Sequence, residues 1–391
     1  MSDALIYGPS TASPALTRKN TLRRPRAIVT INGVRVTCLE CIVTQRTHFT
    51  SDEFVVHLEP WQQLEGYGID YWSGIAVAAG SDVTVEISIG MLTSGANNKA
   101  QPENSTSLII GVVDDVEIDP LSGKLIITGR DLSGRLIDTR TTKRWPDLTA
   151  SQIVEDIANE FQLTPRVTAT TEPAGIFYDS QYNETARDRP VWDIVVFLAE
   201  HEHFDAYVHG KVLYFGPAEA DLDPNPWPII CQRATTGVVW SNMRSLILRR
   251  SISLAKDFSV TVRSHNPATG KSVIATAARG GGHHAAPTSA SGFANKRQNY
   301  VYDLPGLTLE AAQKEAEKRA LDQSKFERTV DLECEGDQTL TVARRARLTG
   351  THSTFDQDYT FVEIAHAYSL TAGLTLKAKL KNHAGESQPI I

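Results

Sequence analysis

Short alternating runs of apolar and polar residues dominate the chain. Val83, Val85, Ile87 and Ile89 alternate with Thr84, Glu86 and Ser88, the period-two signature of a strand with one buried face. Residues 27–31 and the run from 34 onward flank Asn32-Gly33, a dipeptide suited to the left-handed angles of a type I′ hairpin turn. Residues 108–118 and 125–128 flank the turn sequence Asp119-Pro120-Leu121-Ser122-Gly123. The stretch from 27 to 130 therefore predicts one antiparallel β domain, a barrel or a sandwich.

After GRDLSGRLIDTRTT (129–142) the period changes. Thr149 and Gln152 have capping-box spacing, and Ile153, Val154, Ile157, Ala158 and Phe161 then form a helical apolar stripe. A second helix is predicted over 191–201, with Pro190 suited to its first turn and Trp192, Val195, Val196 and Ala199 on its buried face. A hairpin follows, 206–208 and 212–215, turning at His209-Gly210. This is a small α+β module. DLDPNPWP (221–228) reads as a stiff, proline-rich linker.

Strands return at 244–250, 258–263 and 272–276. RGGGHHAAPTSASGF (279–293) is too rich in glycine and small polar residues to pack, so a long exposed loop is expected there. Thr308 can cap a helix to about 326, with Leu309, Ala312, Ala316 and Ala320 on one face. Residues 359–370 and 374–380 close the pattern as strands around Ala372-Gly373. No repeat of 20 to 50 residues is visible, so any likeness between the two β regions must be structural.

Composition narrows the function classes. With 391 residues, 41% hydrophobic and 22% charged, the chain has ordinary globular proportions and room for several cores. A formal net charge of −7 argues against a general nucleic-acid binder. The basic run RKNTLRRPR (18–26) reads either as a solvated arm or as an arm that docks onto a partner subunit. No apolar run reaches the roughly 18–20 residues of a membrane span, so no membrane insertion is expected. MSDALIYGPS lacks the features of a signal peptide, which predicts synthesis in the cytosol.

The search for reactive chemistry returns little. Cys38 and Cys41 form a C-x-x-C, but in a strand residues three apart point to opposite faces, so buried thiols are expected rather than a zinc site. Cys231 and Cys334 are not spaced to complete such a site. His201, His203 and His209 are the densest histidine cluster, and a metal-dependent hydrolase using these three is the alternative reading of the chain. Their spacing is not the H-E-x-x-H that places two ligands on one helix face, and a solvated helix end explains them better. His283 and His284 lie in the glycine-rich stretch, and nothing places Asp114-Asp115 across a cleft from another carboxylate. Neither a nucleophile elbow nor a P-loop occurs. The expectation is a protein that is not an enzyme, with no catalytic, cofactor or metal residues. Arg130, Asp131, Arg135 and Asp138 are the candidates for subunit contacts, with Arg130 and Asp131 able to pair across an interface. Gly129 and Gly134 are expected to be turn points.

One resemblance is specific. GRDLSGRLID, then LTASQIVEDIANEFQL, then RPVWDIVVFLAEHEHFDAYVHGKVLYFG resembles the baseplate-hub family of contractile-tailed phages, which includes the late control D proteins and the Mu-like tail hubs. Residues 258–263, 308–325 and 362–379 are similar to the family's C-terminal half, and the likeness spans about residues 27–382. It implies two tube-type, barrel-like β domains at 27–133 and 221–391, an α+β middle domain at 134–220 and an N-terminal arm at 1–26. It also implies a homotrimer whose ring has near-sixfold inner symmetry. That ring joins the tail tube to the central spike in the virion, with DNA passing through its lumen without specific binding. The implied partners are the tail tube protein, the central spike protein, other baseplate proteins and the tape measure protein. Some members carry a fused cell-wall hydrolase, and no such segment is visible here.

Overall fold

A computed structural model describes residues 24–47, 49–58, 82–92, 103–119, 121–171, 174, 189–233, 237–251, 258–266, 271–279, 298–304 and 307–383. Most of the arm at 1–26 and of the glycine-rich stretch at 279–293 lies outside these residues, as does Pro120.

The first β unit comprises β1 (Arg24–Ile31), β2 (Val34–Val36), β3 (Cys38–Arg46), β4 (Glu53–Leu58), β5 (Thr84–Leu92), β6 (Glu103–Asp119) and β7 (Lys124–Asp131). Their order in the sheet is β3-β4-β7-β6-β5-β1-β2, antiparallel throughout. Asn32 and Gly33 both take positive φ (48° and 79°), so β1 turns directly into β2. Alternation does the rest: Val85, Ile87 and Ile89 of β5 pack inward with Leu125 and Ile127 of β7, around Phe54 and Val56 of β4.

Cys38 and Cys41 are both buried, which corrects the expectation of opposite faces. A register shift between Cys38 and Glu40, opposite β4, inserts one residue and restores Cys38 to the inner side.

The middle module contains α1 (Ser133–Asp138), β8 (Arg140–Thr141), α2 (Ala150–Glu160), β9 (Thr164–Val167), β10 (Arg189–Pro190), α3 (Val191–Glu202), β11 (Asp205–His209), β12 (Val212–Gly216) and α4 (Glu219–Leu222). Thr149 and Gln152 form the full capping box at the start of α2. Ile153, Ile157, Trp192, Val195, Leu198 and Phe215 fill the module's core, and Ile110 and Val112 of β6 pack against it. The Trp192 Nε1–H donates to the Phe49 carbonyl at 2.7 Å, a second tie to the first β unit.

The second β unit uses β13 (Trp227–Arg233), β14 (Val239–Ser241) and β15 (Ser245–Arg250). The chain then leaves to form a separate sheet of β16 (Phe258–Asn266), β17 (Lys271–Arg279) and β18 (Gln298–Asp303), under α5 (Leu309–Ser324). Ala312, Ala316 and Ala320 let α5 lie close on Phe258, Val260 and Val262, whereas Leu309, expected on the same face, is exposed. The chain returns as β19 (Arg328–Glu335), β20 (Arg345–Thr349), β21 (Asp358–Ser369) and β22 (Gly373–Asn382). Their order with the first three strands is β15-β19-β22-β21-β20-β13-β14. Counted along each unit, both sheets run third, fourth, seventh, sixth, fifth, first, second. One pair departs from the antiparallel pattern, since β13 and β20 run parallel.

The two units are not separate sheets. β3 pairs antiparallel with β21 from Glu363↔Arg46 to Ser369↔Glu40, which joins the units into one 14-stranded sheet among the described residues. Arg46 ties this seam with an ion pair to Glu363 at 3.3 Å, while also holding Glu53 at 2.8 Å. The 221–228 segment, expected to be a linker, is pinned: Asp223 Oδ2 accepts from Arg344 Nε at 2.7 Å and from the Arg345 N–H at 3.1 Å.

Candidate functional site at the strand–helix junction

The motif at 129–142 is partly strand and partly helix rather than loop. Gly129, Arg130 and Asp131 end β7, and Ser133 to Asp138 form α1. Gly129 is therefore no turn point. A Cβ there would sit 2.1 Å from the Val112 carbonyl oxygen and 2.5 Å from the Phe54 ring, so close packing of β6, β7 and Phe54 demands glycine. At Gly134, inside α1, the nearest atoms are 3.4 Å away on Arg130, which is ordinary contact.

Arg130 makes a fork to Asp114, with Nε–Oδ2 at 2.7 Å and Nη2–Oδ1 at 2.8 Å. Its Nη2 also reaches Asp138 Oδ2 at 2.7 Å. The Val112↔Arg130 register places Asp114 one diagonal step along β6, and α1 brings Asp138 back over the strand end. Two carboxylates raise the Arg130 pKa further, fixing the guanidinium as a cation. Arg135 Nε lies 2.8 Å from Asp82 Oδ2, an ion pair without hydrogen-bond alignment.

Asp131 is placed differently from its neighbours. It is 4% exposed, and its Oδ1 accepts from the Ser133 N–H at 3.0 Å and from the Ser133 hydroxyl. The Asp131 N–H donates to the Asp52 carbonyl at 2.9 Å, which sets two buried carboxyl groups side by side. Burial pushes Asp131 up to about 6, against the pull of its Ser133 bonds. Burial also raises Asp52, helped by the charge of Asp131. The expected Arg130–Asp131 pair across an interface is thus not available to Asp131, which faces inward because Ser133 caps it there. Arg130, Arg135 and Asp138 line a cleft of about 320 Å³ with Asp82, Asp114 and Phe161. The cleft presents paired charges and no activated nucleophile. Asp114 and Asp82 of the cleft, and Asp52 beside Asp131, are not evident in the sequence, because only the hairpin register and the return of the chain bring them there.

The histidines do not converge as a catalytic group would. His203 ends α3 in the left-handed conformation (φ 61°), His201 stacks along Phe197 with centroids 6.4 Å apart, and His209 ends β11. Partial burial lowers the pKa of His203 and His209. Among the described residues no group of three or more His, Cys, Asp or Glu is placed to hold a metal ion. No described helix is long and apolar enough to cross a membrane.

No protein-family model matches the chain, and no curated protein matches it in sequence. Solved structures do match. The tail protein from Neisseria meningitidis MC58 superposes with a TM-score of 0.64 at 14% identity, covering 92% of this chain and 97% of that one. The 43 kDa tail protein of prophage MuSo2 from Shewanella oneidensis gives 0.61 at 13% identity, covering 92% and 98%. Prophage tail protein gp18 from Listeria monocytogenes EGD-e gives 0.51 at 10% identity, covering 92% and 94%. The chain has a phage tail-protein fold. At these identities the tail-protein fold is carried by burial pattern and strand order rather than by particular residues. The metal-hydrolase alternative finds no support in these likenesses.

Proposed function

We propose that this chain is the structural hub of a phage or phage-like tail baseplate, without enzymatic activity. Three copies close a ring that joins the tail tube to the central spike, as in a contractile injection system. The observation that carries this reading is the duplicated strand order within one continuous sheet. A ring of three such chains presents six near-equivalent β units, which suits a junction between threefold and sixfold components. The likeness to tail proteins over nearly the full chain supports a place in the virion. In this reading 27–133 and 221–391 form the ring, 134–220 faces the surrounding baseplate, and the arm at 1–26 contacts neighbours. Those neighbours are the tube, spike, tape measure and other baseplate proteins. Three chains of −7 carry about −21 formal charge, which favours passage of DNA over binding to it. The junction cleft serves as a subunit-contact surface through Arg130, Arg135 and Asp138, while Asp131 holds the corner that presents them.

The test is purification with tail particles. Arg130→Ala should leave a folded chain that incorporates into tails several-fold less well than wild type. Wild-type chain absent from purified tails would remove the reading.

A further inference from the structure

The duplication predicts where one copy meets the next. Within the chain, β20 covers only Asp358 to Thr360 on one side of β21, and β3 covers Glu363 to Ser369 on that same side. β22 occupies the other side along the whole length. In the first unit the counterpart of β21 is β6. β5 covers β6 as far as Val112, and the Val113 N–H still reaches the Val83 carbonyl. From Asp114 to Asp119 that side of β6 has no strand partner among the described residues, while β7 pairs the opposite side. Among the described residues, the position that β3 fills in the second unit is open in the first.

The strand equivalent to β3 is β15, and it is an edge. It pairs with β19 alone among the described residues. Ile247, in its middle, is 47% exposed, and its counterpart Ile42 on β3 is 44% exposed. An unprotected edge carrying an exposed isoleucine is a template for a further strand.

Matching irregularities set the register. β21 shifts register against β22 between Phe361 and Glu363, and β6 shifts against β7 between Val113 and Asp115. Aligning these bulges equates Glu363 with Asp115. The pairings of β3 with β4 and of β15 with β19 then equate Thr44 with Arg249. Since Ala365 faces Thr44 in the existing seam, the transferred pairing sets Glu117 opposite Arg249 and Ile118 opposite Leu248. The charges agree with this pairing. The open stretch of β6 carries Asp114, Asp115, Glu117 and Asp119, and β15 ends in Arg249 and Arg250. Arg249 and Arg250 already bind Asp331 and Glu327 within the chain, and Arg249 remains 57% exposed.

We infer that β15 of one copy adds antiparallel to the 114–119 edge of β6 in the next copy, repeating between chains the β3–β21 seam found within each. This rests on the ring reading above and names its contact. The contact is heterologous, so it closes into a ring only when the rotation between copies permits.

Paired cysteines test it. Full-length Glu117→Cys/Arg249→Cys and, separately, Ile118→Cys/Leu248→Cys are oxidised mildly and run without reductant, with each single variant as background for Cys231. The expected result is disulfide-linked dimers and trimers from either double variant and none from the singles. A second measurement uses charge: Arg249→Glu or Glu117→Arg alone should weaken assembly at least tenfold by sedimentation, with far-UV circular dichroism unchanged. Combining the two should restore it. A trimeric wild type in which neither cysteine pair cross-links overturns the edge pairing and leaves the ring reading standing. A wild type that stays monomeric removes the ring reading itself.

Discussion

The two β units share one strand order and differ in what closes them. In the second, the outer half of β21 is sealed by β3, and His366 lies in that seam, 1% exposed. In the first, the equivalent stretch of β6 is acidic and has no strand partner among the described residues, and two buried carboxyl groups, Asp52 and Asp131, lie at the nearby corner. A duplicated architecture need not duplicate its electrostatics. The sealed seam buries a neutral base, whereas the open one stands beside buried acids.

Core truncation should have the largest effect and tests whether the units are thermodynamically separate. Phe54 and Phe361 are fully buried in the first and second units. Phe54→Ala or Phe361→Ala should each cost about 3–5 kcal/mol. Because β3–β21 makes the sheet continuous, each should lower one shared calorimetric transition. Two transitions moving independently would break the comparison.

The glycines come next. Gly129→Ala places a methyl group against the Val112 carbonyl and Phe54 and should cost about 3 kcal/mol in a denaturant titration. Gly134→Ala, within α1, should stay within about 1 kcal/mol of wild type.

The buried titratable groups predict opposite pH slopes. Burial holds His366 down at about 4, against 6.5 for a free side chain, so its contribution is present above 6.5 and lost as pH falls through 4. His366→Leu should remove a loss on the order of 2 kcal/mol over that window. Asp131 is raised from 3.8 to about 6, so its contribution is full below 3.8 and lost as pH rises through 6. Asp131→Asn should flatten that decline, measured as denaturation midpoints at pH 4 and pH 7. Equal slopes in both variants would erase the contrast.

The smallest effect belongs to the capping box. Thr149→Ala should cost about 1 kcal/mol and leave both β units unchanged.

The elements that sequence revealed are those whose signal is local. The Asn32-Gly33 hairpin, the Thr149 cap and the alternation of β5 each depend on a few neighbouring residues, and each forms as read. Bulges were invisible, because one inserted residue flips every later side chain without leaving a compositional mark. That is why Cys38 and Cys41 came out on one side. The short helix at Ser133 was missed because six residues are too few to show a period. The candidate site was half legible. Its arginines stood out as charges too dense for a core, but Asp114 and Asp82 join them only through pairing between distant strands. The strand-order duplication left no repeat in residue identity, since it resides in hydrogen-bond order, and only the family resemblance implied two like β domains.

The most direct test of the central claim is the mass of the purified full-length chain by sedimentation equilibrium. The ring account predicts about 129 kDa, three times the chain's 42.9 kDa. A single species of 42.9 kDa at all concentrations would contradict it.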